Sequence, residues 1–219
     1  MSMQSRNPLL LDVSLWSADL VNLAAQIQSV LPYADSFHID VADGHFVPTL
    51  LFFPDMVAAI RAVTAKPLHV HLMVSDPATL VEQFMAAGAD MITVQIEAKS
   101  ARDALKTIAK AGRNAGVALL LETPVAALGG YLDEIELVIA MGTQVGVKGA
   151  DLASEACERV AAIRGIIDKR PSVKLYADGA IREHTVPKLR KAGADAVVPG
   201  SLLFNSTDAK RVHEWLKTL

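Results

Sequence analysis

Three observations predict the fold. Short aliphatic runs alternate with amphipathic helical stretches along the 219-residue chain, the pattern of parallel strands joined by helical crossovers. The strand-and-helix unit recurs about eight times without a linker or low-complexity break, and eight such units favour closure into a ring. No GxGxxG follows the first strand, as an open doubly wound dinucleotide-binding sheet would carry. The predicted class is therefore α/β, a (β/α)8 (TIM) barrel, with residues 1–219 as a single barrel domain.

The elements support this in order. The first strand, residues 9–13 (LLLDV), is apolar but interrupted by Asp12, and Ser17 stands where a helix cap is expected. The second, 36–41 (SFHIDV), runs into an Asp-Gly turn at Asp43 and Gly44. The third, 68–74 (LHVHLMV), precedes a helix over 77–87 (PATLVEQFMAA), with Asp76 as cap and proline in the first turn. A fourth strand over 91–96 leads to a helix over 101–114, and a fifth over 117–121 leads to Thr123-Pro124, another cap with proline. The sixth, 137–141, is followed by GTQVGVKGAD and a helix over 151–168; the seventh and eighth are 174–177 and 196–199. The string AGAD occurs at Ala87–Asp90 and again at Ala192–Asp195, each time between a helix and a strand. There glycine supplies the left-handed helix end.

Composition excludes several classes. Hydrophobic residues make up 52% with only 5% aromatic, which suits aliphatic strands ringed by alanine-rich helices. Lys+Arg 21 against Asp+Glu 24 gives a net charge of -3, so no basic surface points to nucleic acid. The single cysteine, Cys157, forbids an intramolecular disulfide and fits a reducing compartment. No segment approaches the roughly 20 apolar residues that span a bilayer, so no membrane partner is expected and a cytoplasmic location is.

In such barrels chemistry sits at the C-terminal ends of the strands. Side chains alternate along a strand, so His38 and Asp40 share one face of the second, and His69, His71 and Met73 share one face of the third. His71 lies nearer the C-terminal end and reaches the pocket more readily than His69. Asp178 ends the seventh strand, on the face of Tyr176. Two histidines and two aspartates form an N2O2 set that suits a divalent metal: zinc, manganese, iron or cobalt. Glycines cluster after the last three strands, with Gly142, Gly146 and Gly149, then Gly179, then Gly200 followed by Ser201. Alone, each is an ordinary turn residue. Together they let backbone N–H groups approach an anion at the recurrent phosphate site of this fold.

These residues carry a family resemblance over nearly the whole length. VSLWSADL, FHIDVADGHFVP, HVHLMV, AGAD, Thr123-Pro124, ADGAI and GSLLF, in this order and spacing, resemble the ribulose-phosphate 3-epimerases. The resemblance implies that His38, Asp40, His71 and Asp178 are the metal ligands and that Asp40 and Asp178 double as the acid/base pair. It also implies that Ser14 and Met141 line the pocket, and that Gly146, Gly149, Gly179, Gly200 and Ser201 hold the phosphate. The chain departs from the family pattern at Ala42, at Gln95, at Leu120 and in the QVGVKGA loop, which carries Lys148. The metal and proton-transfer set is intact while the residues shaping the sugar pocket are altered. Lys148 is either an added charge partner for phosphate or a solvated loop residue.

The implied reaction is epimerisation of a ketose phosphate at C3. The C3 proton lies α to the carbonyl, so its removal gives a 2,3-enediolate and its return to the opposite face inverts the carbon. That requires one carboxylate on each face, which strands two and seven of a closed barrel supply. D-ribulose 5-phosphate with D-xylulose 5-phosphate is the leading pair, and allulose 6-phosphate or a tetrulose phosphate are relatives. A phosphosugar decarboxylase or lyase on the same fold is a second class, disfavoured because the third strand lacks the lysine of a DxKxxD string. A non-catalytic phosphosugar binder is the third class, disfavoured by the cost of burying four ionisable groups without a metal. The resemblance further implies a homo-oligomer, a dimer or larger. Asp43 and His45 read as turn residues, His184 and His213 as helix-surface residues, and Trp16 and Trp215 as packing at the barrel's ends.

Overall fold

The chain is described by a computed structural model over residues 7–219. Its strands are β1 (Leu10–Ser14), β2 (Ser36–Asp43), β3 (Leu50–Leu51), β4 (Leu68–Met73), β5 (Met91–Gln95), β6 (Asn114–Leu119), β7 (Leu137–Met141), β8 (Lys174–Asp178) and β9 (Ala196–Val197). All are parallel except β3, a two-residue strand antiparallel to the end of β2. The sheet runs β1-β9-β8-β7-β6-β5-β4-β2 and closes because β2 pairs back onto β1. This is the closed eight-stranded (β/α)8 barrel.

Helices α1 (Leu23–Val30), α2 (Pro54–Val63), α3 (Val81–Ala86), α4 (Ala101–Lys110), α5 (Ala156–Ile167), α6 (Val186–Ala192), α7 (Ser201–Phe204) and α8 (Ala209–Lys217) complete the α-helices. The outward strand residues, among them Leu11, Val13, Ile39, Val70, Val94, Val117 and Val138, are fully buried and belong to the main apolar core. Each such aliphatic side chain contributes about 1.5–3 kcal/mol by leaving water. The inward residues are of a different kind. Met91, Leu137, Ile139, Tyr176 and Ala196 fill part of the barrel interior, while Asp12, Ser36, His38, His69 and Thr93 are polar and buried.

Both AGAD strings act as expected at their helix ends. Gly88 has φ +104° and Gly193 φ +126°, and the following Ala89 and Ala194 amides close the turn onto Phe84 O (3.0 Å) and Leu189 O (3.1 Å). The aspartates that follow have a further use. Asp90 Oδ2 accepts from Leu68 N at 2.9 Å and Asp195 Oδ2 from Leu175 N at 2.8 Å, while Asp35 and Glu136 do the same for Leu11 N (2.8 Å) and Ala115 N (2.7 Å). A carboxylate thus ties each of four strand beginnings at the N-terminal face, where a barrel stores stability.

Several element bounds differ from the sequence expectation. The fifth barrel strand starts at Asn114, inside the expected 101–114 helix, because α4 ends at Lys110 and the Gly112 turn (φ +68°) reverses the chain. The expected helix over 77–87 is split: Pro77–Thr79 is a 3-10 turn closed by Leu80 N onto Pro77 O (3.0 Å), and the α-helix begins at Val81. The helix expected from residue 151 begins at Ala156. Thr123 caps nothing; its hydroxyl donates to Glu97. Asp76 likewise turns its carboxylate to the Ser100 hydroxyl, and after β1 the capping side chain is Asp19 rather than Ser17.

Candidate active site

Strand register brings the four ionisable groups together. In a parallel pair, aligned residues point the same way, and Asp40 aligns with His71 while Ser14 aligns with His38. Asp178, at the end of β8 and aligned with Met141, reaches the same point from across the ring. His38 Nε2 lies 3.1 Å from Asp40 Oδ1 and 3.9 Å from Asp178 Oδ2; His71 Nδ1 lies 3.3 Å from Asp40 Oδ1 and 3.9 Å from Asp178 Oδ2. One donor atom from each residue falls within 4.8 Å of all the others.

These groups fit a divalent ion. Two ligands of a tetrahedral ion with bonds of 2.0–2.1 Å stand about 3.3 Å apart, and the separations of 3.1–3.9 Å bracket that distance. His71 Nδ1 is buried and makes no hydrogen bond, and a buried polar atom of this kind calls for a partner. Its other nitrogen explains why. Gln95 accepts from His71 Nε2 at 2.9 Å when its amide donates to Glu97 Oε2 (3.1 Å) and Ala118 O (3.3 Å). With its N–H spent on Gln95, His71 turns a lone pair toward the two carboxylates, an arrangement that could hold a cation.

The carboxylates are driven to opposite protonation regimes. Burial raises Asp40, but the charge and hydrogen bond of His38 outweigh it and hold the group far below the ordinary carboxylate range. At Asp178 burial and the negative charge of Asp40 prevail and push the carboxyl up to about 6. Burial lowers His38, yet Asp40 and Asp12 raise it well above the ordinary imidazole value. A pair of acids split in this way can hold one proton between them.

The cavity above this cluster collects the other expected residues. Ser14, Met141, Gly146, Lys148, Gly149, Gly179, Gly200 and Ser201 all line it, together with Asp40 and Asp178. Ser14 Oγ donates to Asp40 Oδ2 at 3.2 Å. Lys148 Nζ donates to Trp16 O at 2.8 Å, joining the loop after β7 to the loop after β1. At Gly179, φ is +97° and a Cβ would stand 2.5 Å from Thr143 Oγ1; at Gly200 a Cβ would stand 2.2 Å from Ser17 Oγ. Glycine at these two positions leaves room for the Thr143 and Ser17 hydroxyls.

Other residues of the cavity went unread in the sequence. Ser17, Thr143 and Arg182 line it, and Arg182 donates to Gly149 O and Ala150 O at 3.0 Å each and pairs with Asp151, pinning the glycine loop. No local pattern marks Arg182, because its partners lie about thirty residues earlier. Trp16, expected only to pack a barrel end, lines the cavity as well. Asp43 is a turn residue as read, accepting from His45 N, Phe46 N and Ser75 N at 2.8 Å each. Ala42 and Leu120 join the apolar cluster of Met73 and Met141. His184 is exposed, and His213 is half-buried with its ring 5.5 Å from Tyr33.

With fold and geometry in place, comparison with known proteins defines the class: the chain is an isomerase, an epimerase acting on carbohydrates. The model of the ribulose-phosphate 3 epimerase family matches residues 10–204. Among similar proteins, the ribulose-phosphate 3-epimerase of Treponema pallidum (strain Nichols) is 38% identical over 197 residues, covering 89% of this chain and 90% of that one. The enzyme of that name from Bacillus subtilis (strain 168) is 34% identical over 202 residues, covering 90% and 93%. The chain belongs to the ribulose-phosphate 3-epimerase family. A crystal structure of 3-hexulose-6-phosphate synthase superimposes with a TM-score of 0.69 at 18% identity, covering 96% of this chain and 98% of that one; this likeness concerns the fold alone. No helix among the described residues is long and apolar enough to cross a membrane.

Proposed function

We propose that the protein is a metal-dependent 3-epimerase of a ketose phosphate, interconverting D-ribulose 5-phosphate and D-xylulose 5-phosphate or a close relative of that pair. One observation carries the reading: Asp40 on β2 and Asp178 on β8 approach one point from well-separated strands of the ring, with opposite proton affinities. Asp40, held ionised, takes the C3 proton from one face. Asp178, raised toward neutrality, returns a proton from the other, and the roles exchange in the reverse direction. His38, Asp40, His71 and Asp178 would hold a divalent ion. That ion would supply positive charge beside the C2 and C3 oxygens as the enediolate develops.

The rest of the cavity orients the sugar. Ser14 holds the outer oxygen of Asp40, which keeps the carboxylate aimed at the cavity. The backbone at Gly146, Gly149, Gly179, Gly200 and Ser201 lies where a phosphate would be gripped remote from C3, so that its binding energy fixes C3 between the carboxylates. Lys148, at the same rim, adds a positive charge for that phosphate. We read the protein as a homo-oligomer on family resemblance, and as cytoplasmic on its single cysteine, Cys157, which fits a reducing compartment.

A relative such as allulose 6-phosphate or a tetrulose phosphate is the second reading, favoured by the Gln95 and Lys148 departures. Decarboxylase or lyase chemistry has only the fold in its favour, since β4 reads LHVHLM with no lysine. Incubating the purified protein with a panel of ketose phosphates and identifying the C3 epimer formed tests the reading. Failure to epimerise any member would overturn it.

A further inference from the structure

Beneath the candidate metal centre lies a second group of buried ionisable residues that proton transfer does not use. Asp12 is fully buried at the middle of β1, inside the barrel. Its Oδ2 lies 2.9 Å from His38 Nδ1 and 2.6 Å from His69 Nδ1, and its Oδ1 accepts from Ser36 Oγ at 2.5 Å. His69 Nε2 in turn lies 2.8 Å from Thr93 Oγ1. Asp12, His38 and His69 are close enough together to resemble a ligand set. Separations of 2.6 and 2.9 Å, however, fall well short of the about 3.3 Å between two ligands of a tetrahedral ion, and are hydrogen-bond lengths.

An ionised carboxylate only accepts hydrogen bonds, so each group aimed at Asp12 is a donor. His38 therefore carries its proton on Nδ1, and its Nε2 faces Asp40 and Asp178. We infer that Asp12 is a positioning residue for the metal centre: by taking the Nδ1 proton of His38 in a hydrogen bond, it fixes the tautomer and ring orientation that present the Nε2 lone pair to a divalent ion. His69 holds Asp12 in register on the same Oδ2 that meets His38, whereas Ser36 touches only the other oxygen. His69 is thus not a displaced ligand but the brace of the carboxylate that aims the ligand beside it. Gln95 plays the matching part for His71 on the far side. Outer partners of this kind set metal affinity by 10- to 100-fold in general. The inference rests on the proposed metal centre and adds a residue that no reading of the cavity includes.

The test measures zinc affinity by chelator competition on wild type, Asp12→Asn, Ser36→Ala and Asp40→Asn. The amide of Asp12→Asn would donate where the carboxylate accepts and so favour the wrong His38 tautomer. Zinc binding weakened by about 10- to 100-fold in Asp12→Asn, with Ser36→Ala close to wild type and Asp40→Asn weakened at least as much, supports the inference. Asp12→Asn binding like wild type while Asp40→Asn is weakened overturns the inference and leaves the metal centre standing. Asp40→Asn binding like wild type overturns the centre itself and this inference with it. Should Asp12→Asn fail to fold, nitrogen NMR of zinc-loaded wild type decides: His38 protonated at Nδ1 and metallated at Nε2 supports the assignment, and the reverse pattern overturns it.

Discussion

Asp40 and Asp178 meet from strands separated by β1 and β9 on one side and by four strands on the other, yet each stands within 3.9 Å of the same His38 nitrogen. Two buried carboxylates this close share a site where both do not ionise freely. The barrel resolves the conflict by giving Asp40 the nearer imidazole contacts and leaving Asp178 with burial and a negative neighbour. This asymmetry underlies the expected behaviour of the site.

Metal affinity should fall steeply with acid. Against the effect of burial, His38 is raised well above the ordinary imidazole value by Asp40 and Asp12, so as the pH falls an ion must displace a proton from it. Apparent affinity should drop by about tenfold per pH unit from 7 to 5. Titration calorimetry in buffers of different ionisation heat checks this, and a flat profile would contradict it.

Stability of the metal-free protein should show two opposed trends. The folded state keeps a proton on Asp178 that the unfolded chain sheds above 3.8, so its stabilising effect is full below about pH 4 and gone as pH rises through about 6. Asp12 and Asp40 are lowered instead; their contribution is present above about pH 4 and lost in stronger acid. Replacing Asp178 with Asn should therefore flatten the slope between pH 4 and 6 in urea denaturation.

Gly179→Ala should damage site and fold together. At φ +97° a Cβ is strained and would press on Thr143 Oγ1 at 2.5 Å, directly beside Asp178. A stability loss of about 1–3 kcal/mol is expected, with a fall in kcat at constant metal loading. An unchanged kcat would mean that the turn does not set the aim of Asp178.

Asp195→Ala should do the converse. Its carboxylate accepts from Leu175 N and pairs with Arg164 at the N-terminal face, far from the chemistry. Losing these charge-assisted bonds from a partly exposed position should cost about 1–2 kcal/mol while kcat/KM stays within twofold of wild type. Thermal melts with steady-state assays separate the two.

Lys148→Met should raise KM for the phosphorylated substrate several-fold with little change in kcat, as expected for a charge that grips phosphate away from C3. If KM does not move, the lysine serves only to bind Trp16 O.

The strands of the candidate site were legible because a strand alternates with period two: the HID and HVH spacings alone put His38 beside Asp40 and His69 beside His71. The AGAD turns were legible through glycine's freedom at positive φ. Asp12 was visible only as a break in an apolar run, because its partner His69 lies on β4, which does not adjoin β1. Contacts across a barrel's interior depend on closure and tilt, which no local pattern encodes. Helix starts were misjudged for a related reason: Asp76 and Thr123 spend their side chains on tertiary partners, Ser100 and Glu97, rather than on caps.

The most direct measurement follows the hydrogen at C3 in deuterated water, using wild type, Asp40→Asn and Asp178→Asn with ribulose 5-phosphate and xylulose 5-phosphate separately. Wild type should place solvent deuterium at C3 while interconverting the epimers. Each variant should lose interconversion by about 10²- to 10⁴-fold and retain exchange, if any, from one epimer only, a different one for each variant. Interconversion without deuterium at C3, or wild-type rates after removal of either carboxylate, would contradict proton transfer across two faces.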